Sequence, residues 1–263
     1  MHKTHLDNKT HSVMNKPSHS STTHFGYRDV NIADKENLVR DVFNRVARKY
    51  DLMNDLMSMG VHRLWKSTLI DLLQPKPDMS LIDVGGGTGD IAFGFLDHGG
   101  GPVSVVDIND EMLNAGRDRA IDQGRLDGLH WINGDAERLP VPDASFDIYT
   151  TAFCIRNVTR IEQALIEARR VLKPGGRFFC LEFSHVTHKA LAKLYDAYSF
   201  NVLPCLGSAI ANDKDAYVYL AESIRKFPDQ QTFAQMINDA GLELVRVRNL
   251  SGGIAAIHSA WRI

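Results

Sequence analysis

At 263 residues, with 44% hydrophobic and 24% charged positions, the chain has room for one large α/β domain, or two small ones, of ordinary globular composition. A formal net charge of −2 and the lack of any basic stripe give no electrostatic case for nucleic acid. No apolar run approaches the roughly 18 residues of a membrane span, and no signal-peptide core is visible, so a cytoplasmic location is expected. Three cysteines, Cys154, Cys180 and Cys205, read as free thiols of a reducing compartment and not as a disulfide framework or metal site.

Residues 1 to about 24 are polar, with His2, His5, His11, His19 and His24 irregularly spaced among Ser, Thr, Asn and Lys. A disordered tail is expected there. From Asp34, a candidate N-cap, Leu38, Val42, Val46 and Tyr50 fall at i+4 steps and form one apolar stripe. A second helix is expected from about His62 to Leu73, stopped by Pro75 and Pro77. The density of Tyr, Asn, Ser, His and Trp between Tyr50 and Trp65 suggests that residues 34–74 form a helical lid or a substrate wall, although His62 and Trp65 taken singly are packing residues.

The α/β core then alternates regularly. Strands are expected at 81–84, 103–107, 129–132 and 146–153, with helices at 89–97, 110–123 and 160–172. Gly175-Gly176 reads as a turn before a strand from Arg177 to Phe183. At the C-terminus, 242–250 alternates at period two, and Ser251-Gly252-Gly253 leads into a second strand pattern to Trp261, which together read as a hairpin. The fold class is therefore α/β, a doubly wound and mostly parallel seven-stranded sheet with an antiparallel C-terminal hairpin. Residues 25–263 form a single domain in this reading. The segment 187–227 is an inserted lobe rich in Tyr and Phe, either packing or an apolar cover for a lipid-like substrate.

The run Leu81-Ile82-Asp83-Val84-Gly85-Gly86-Gly87-Thr88-Gly89-Asp90 reads as strand, glycine loop and helix start. Gly85 and its neighbours let a ligand approach backbone N–H groups without a Cβ in the way. Asp107, at the tip of the next strand, is placed to accept both hydroxyls of an adenosine ribose. Read as G-x-G-x-x-G from Gly85, the sixth place holds Asp90, a carboxylate that would repel a pyrophosphate. S-adenosylmethionine (SAM), which has no phosphate and carries a sulfonium and an ammonium, suits such a loop. Past the third strand, Asn133-Gly134-Asp135-Ala136-Glu137 can read adenine, with the Asp135 carboxylate on the exocyclic amine and the Ala136 N–H on a ring nitrogen.

With these features the chain resembles class I SAM-dependent methyltransferases. More narrowly, it is similar to the ubiquinone/menaquinone biosynthesis C-methyltransferase family from about Thr23 to Ile263. Two signatures carry the resemblance: Tyr50-Asp51-x-Met53-Asn54 continuing to Ser58, His62 and Trp65, and Arg170-Val171-Leu172-Lys173-Pro174-Gly175-Gly176 continuing to Leu181-Glu182-x-Ser184. Phe153-Cys154-Ile155-Arg156-Asn157-Val158 and Tyr195-Asp196-x-Tyr198-Ser199-Phe200 also look like family motifs. The resemblance implies cofactor contacts at Thr88, Asp107 and the Asp135–Ala136 pair. Where the family often carries a serine at the end of the fourth strand this chain has Ala152, so a hydroxyl role shifts to Thr151 or is absent.

The implied reaction is SAM-dependent methylation of a ring carbon of a polyprenyl quinol, a demethylmenaquinol or a 2-polyprenyl-6-methoxy-1,4-benzoquinol. Arg156 would stabilise the developing phenolate, directly or by polarising a water, Asn157 would orient the substrate oxygen, and Tyr50 or His62 would close the site. No metal is called for, since no side-chain cluster has ligand spacing. An isoprenoid substrate implies peripheral contact with the inner face of the membrane, or work within an assembly of quinone-biosynthesis enzymes or a homo-oligomer. The rivals are a nicotinamide-dependent oxidoreductase, a non-catalytic SAM-fold partner, and a methyltransferase for another lipid or small molecule.

Overall fold

A computed structural model describes residues 22–46, 50–125, 127–187, 189–202 and 214–263. Of the expected tail, residues 1–21 lie outside the described residues, and Thr22–His24 belong to a strand. Strands β1 (Thr22–Phe25) and β2 (Arg28–Asn31) form an antiparallel hairpin that leads straight into helix α1 (Ile32–Val46). The cap of α1 is Asn31, whose Oδ1 accepts the Ala33 N–H at 3.1 Å, and not Asp34 as expected. Asp34 lies in the first turn, where it faces the positive end of the helix dipole.

Helix α2 (Tyr50–Ser58) begins at Tyr50, so the single stripe read from Leu38 through Tyr50 is divided between two helices. Helix α3 (His62–Leu73) follows as expected and ends at Gln74 in the left-handed region, before the two prolines.

The alternating unit is then β3 (Leu81–Val84), α4 (Asp90–Asp97), β4 (Val103–Asp107), α5 (Asp110–Asp122), β5 (Leu129–Asn133), β6 (Phe146–Ala152), α6 (Ile161–Val171) and β7 (Leu172–Phe183). Helix α7 (Lys189–Ala197), a π turn (Tyr198–Val202), α8 (Lys214–Lys226) and α9 (Gln230–Asp239) precede β8 (Glu243–Leu250) and β9 (Ala255–Trp261). The sheet order is β5-β4-β3-β6-β7-β9-β8. The first five strands are parallel, and β9 runs antiparallel between β7 and β8, as the hairpin pattern indicates. The order reverses between β3 and β6, which places a ligand crevice at the carboxyl ends of β3, β4 and β6.

The apolar runs of the central strands are continuous because both sheet faces are covered. On one face Leu81, Val103, Val105, Ile148 and Leu181 pack with α3 and α4. On the other, Ile82, Val84, Val106, Phe178 and Cys180 pack with α6 and α9. The edge strand β8 exposes Arg246 and Arg248, charges that discourage edge pairing. Gly175 and Gly176 lie inside β7 and not in a turn before it. Gly175, at φ +78°, donates its N–H to Arg262 O at 2.7 Å, and the β6 register slips between Phe146 and Ile148.

Leu69 of α3 is fully enclosed in the first cluster, whereas Leu64 on the opposite face is 67% exposed. Leu69→Ala is expected to cost about 2–5 kcal/mol of unfolding free energy, and Leu64→Ala less than about 0.5 kcal/mol. The denaturant midpoint at unchanged m-value reads both.

Candidate cofactor and substrate site

A cavity of about 320 Å³ opens at the carboxyl ends of β3, β4 and β6. Gly85, Thr88, Asp107, Asp135, Ala136 and Asn157 all line it, so most of the residues singled out in the sequence converge on one space. The glycine loop is packed too tightly for side chains. Gly85 sits at φ +66°, and a Cβ there would lie 2.0 Å from Cys154 Sγ. The loop is pinned by Gly85 N and Gly86 N to Val106 O, at 2.7 and 3.2 Å.

Asp107 is held by its backbone neighbours: Oδ2 accepts Gly87 N–H at 3.0 Å and Oδ1 accepts Asn109 N–H at 2.9 Å. Burial pushes its carboxyl up to about 6, against the pull of those hydrogen bonds. Asp135 Oδ1 accepts Glu137 N–H at 2.9 Å, which shapes the turn that presents Ala136 to the cavity. Glu137 is itself bound by Arg160 N and Nε at 2.8 and 2.6 Å.

Asp83 is a site residue that the sequence argument passed over, although a carboxylate inside an apolar strand is a visible signal. It lines the cavity and is 1% exposed; Oδ1 accepts the Thr150 hydroxyl at 2.7 Å, and Oδ2 has no protein partner among the described residues. Burial pushes it up to about 7. Asp90 differs. Burial favours its neutral form, but the Lys66 ammonium and the Arg119 guanidinium hold it down at about 2. It is charged and already neutralised, so the repulsion expected of it is largely cancelled.

The N-terminal helix forms the outer wall, with Ile32, Ala33, Glu36, Val39 and Arg40 on the cavity. Lys35, 2% exposed, donates from Nζ to Val158 O at 3.1 Å and ties that wall to the turn after β6; burial lowers its ammonium to about 8. This contribution of α1 was legible only as an amphipathic stripe.

Arg156 does not line the cavity. Its side chain is 1% exposed, and Nη1 donates to Glu182 Oε1 at 2.7 Å and to Phe153 O at 2.6 Å. The role of direct phenolate stabiliser is corrected accordingly: the guanidinium is committed to a buried ion pair. Asn157, next in sequence, does line the cavity; Oδ1 accepts the Tyr219 hydroxyl at 2.9 Å, and Nδ2 has no protein partner among the described residues. Tyr50 opens α2, and its side chain lies outside the described residues.

His62 and Trp65 are packing residues. His62 Nε2 meets Asp55 Oδ1 at 3.0 Å, and Trp65 Nε1 donates to Ser251 Oγ at 3.0 Å with its ring edge-on to Phe183. Ala152 lines the cavity, and the neighbouring Thr151 is buried and is not among the lining residues. In the second signature, Arg170 braces the 139–143 loop through Leu139 O and Val141 O at 3.0 and 2.9 Å, and Lys173 pairs with Asp147 at 2.9 Å. That stretch is structural. Among the described residues no group of three or more His, Cys, Asp or Glu side chains is arranged to hold a metal, and Cys154 and Cys180 are free thiols.

This strand order, with a glycine loop after the first strand of the sheet and an acidic tip on the second, defines a class I SAM-dependent methyltransferase. A family model described as the ubiE/COQ5 methyltransferase family matches residues 31–262. A Paracoccus denitrificans protein named ubiquinone/menaquinone biosynthesis C-methyltransferase UbiE is 57% identical, over 94% of this chain and 99% of its own. A Dictyostelium discoideum protein named 2-methoxy-6-polyprenyl-1,4-benzoquinol methylase, mitochondrial, is 51% identical, over 92% of this chain and 86% of its own. Among solved structures, a SAM-dependent methyltransferase from Thermotoga maritima shares the fold with a TM-score of 0.62 at 20% identity, covering 86% of this chain and 100% of that one. The chain belongs to the ubiE/COQ5 methyltransferase family and is a SAM-dependent C-methyltransferase.

The residues present fit SAM. The unpartnered Oδ2 of Asp83 and the carboxylate of Asp107 give the cavity an acidic lining suited to a cation without phosphate. A cation favours the ionised form of both carboxylates, so its binding lowers their pKa values and releases protons. SAM affinity is therefore expected to rise with pH from about 6 to about 7 and level off above, with proton release measurable by calorimetry in two buffers of different ionisation enthalpy. Glu182→Ala, which strands the buried Arg156 charge, is expected to cost about 3–5 kcal/mol of stability in denaturant titration.

Proposed function

We propose that the protein methylates a ring carbon of a polyprenyl quinol, a demethylmenaquinol or a 2-polyprenyl-6-methoxy-1,4-benzoquinol or both, in menaquinone or ubiquinone biosynthesis. The observation that carries this reading is the 57% identity, over 94% of the chain, to the Paracoccus protein named for it. The Dictyostelium relative is named for the benzoquinol reaction. SAM supplies an electrophilic methyl group on a sulfonium.

The residues of this chain then have separable tasks. Asp83 and Asp107 hold the charged and ribose-bearing parts of the cofactor, Asp135 and Ala136 read its adenine, and Gly85 and Thr88 shape the loop. Asn157 Nδ2 is the donor offered to the substrate's ring oxygen. By holding that oxygen, Asn157 fixes which ring carbon faces the methyl group and favours the ionised hydroxyl that enriches the carbon. Arg156 positions the turn that carries Asn157 without touching the substrate. Tyr50, at the start of α2, is assigned to closing the site.

The isoprenoid tail is the reason to expect contact with a bilayer surface. Among the described residues no helix is long and apolar enough to cross a membrane. Tyr27 and Phe200, stacked at 6.4 Å and 53% and 38% exposed, are candidates for the lipid-facing side.

Anaerobic incubation with labelled SAM and each reduced quinol tests the reaction. Labelled product from at least one quinol is expected, and the ratio assigns the pathway. SAM binding without methylation of either quinol would overturn the substrate assignment and leave another substrate or a non-catalytic role.

A further inference from the structure

Asn157 carries a carboxamide with one end bound and one end free. The bound end is Oδ1, 2.9 Å from the hydroxyl of Tyr219 on α8, and the free end is Nδ2. Tyr219 is 4% exposed, and the bond to Asn157 is the hydroxyl's one hydrogen bond to a described residue. A buried hydroxyl hydrogen needs an acceptor. If the amide turned over, Nδ2 would face the phenol oxygen, the hydroxyl hydrogen would lose its acceptor, and Oδ1 would take the buried, unpartnered place of Nδ2. The hydroxyl's demand for an acceptor thus selects the amide face presented to the substrate. Burial also pushes the phenol well above its ordinary range, so it keeps its proton at working pH.

Tyr219 is itself held from the other side. Its ring stacks on Phe25 of β1, with centroids 4.1 Å apart and planes inclined by 17°. One turn on, Glu222 Oε2 accepts Tyr27 N–H at 2.9 Å, and a further turn on the Lys226 ammonium sits 5.8 Å from the Tyr27 ring centroid. Tyr219, Glu222 and Lys226 form one face of α8, and that face grips the N-terminal hairpin.

We propose that Tyr219 is a positioning residue for methyl transfer: clamped by Phe25 of the hairpin, it orients the Asn157 amide so that Nδ2 faces the substrate oxygen. The assignment rests on the role given to Asn157 above.

A double-mutant cycle on the full chain tests it, with kcat, quinol KM, SAM affinity and melting temperature measured for each variant. Tyr219→Phe is expected to lower kcat roughly tenfold or more, with SAM affinity and melting temperature near those of the parent. In the Asn157→Ala background, which is itself impaired, the same change is expected to have no further effect, since there is no amide left to orient. Asn157→Asp, which keeps an acceptor for Tyr219 but removes the donor, is expected to be as impaired as Asn157→Ala. Full turnover in Tyr219→Phe beside an impaired Asn157→Ala would overturn the proposal and leave the role of Asn157 standing. Independent, multiplying losses in the double variant would also overturn it. Full turnover in Asn157→Ala or Asn157→Asp would instead remove the reading of Asn157 itself.

Discussion

The ion pair between Arg156 and Glu182 sets the geometry on which the site depends. Enclosing two ions at 1% exposure costs several kcal/mol each, and their attraction offsets this only when the remaining hydrogen-bonding groups are satisfied as well. Here Glu182 Oε1 also accepts Phe183 N–H at 2.8 Å, Oε2 meets Arg156 N–H at 3.4 Å, and the guanidinium caps Phe153 O and lies over the Phe183 ring. The pair therefore ties the turn after β6 to the end of β7. It also stabilises Phe153 at φ +56°, an unfavourable conformation for an aromatic residue. That conformation seats Cys154 against Gly85. Through two neighbouring residues, a charge pair that never enters the cavity shapes the glycine loop on one side and Asn157 on the other.

The electrostatics of the cavity follow from which carboxylates are already satisfied. Asp90 has a cation on each oxygen and contributes little net field at the loop. Asp83 and Asp107 have only neutral donors, and burial raises both. A positively charged ligand relieves that burial cost, whereas a pyrophosphate would add to it. Of the three carboxylates, Asp107 suits the ribose of either cofactor, so discrimination against a pyrophosphate rests on Asp83 more than on the already neutralised Asp90.

What the sequence made legible was local. Strand, glycine loop and helix follow one another within a few residues, and an acid at a strand tip or an adenine-reading turn is fixed by its own neighbours, so Gly85, Asp107, Asp135 and Ala136 could be read directly, whereas Thr88 came from the family resemblance. The partners of Arg156 and Asn157 could not. Glu182 lies 26 residues from Arg156 and Tyr219 lies 62 from Asn157, and no periodicity connects them. The same limit hid the cap of α1, because Asn31 serves a strand and a helix at once, and the bulge at Gly175, which exists only once β7 has paired with its neighbours.

The inserted lobe shows what composition leaves open about purpose. Its tyrosines read either as packing or as apolar cover, and three of their hydroxyls also serve as hydrogen-bond donors. A helix leaves its last four carbonyls without helical partners. In α2, Asp55 O takes Gly60 N–H at 2.8 Å and Ser58 O takes Val61 N–H at 3.1 Å, but the turn supplies nothing for the two between them. Tyr198 donates to Leu56 O at 2.6 Å and Tyr195 to Met57 O at 3.2 Å, completing the set. Tyr219 then carries the same lobe to Asn157. The lobe thus caps the helix that Tyr50 begins, grips the hairpin that leads into α1, and reaches Asn157, which lines the cavity. Because each link is a tyrosine hydroxyl donating to one acceptor, the C-terminal end of α2 and the Asn157 amide are ordered by the same lobe.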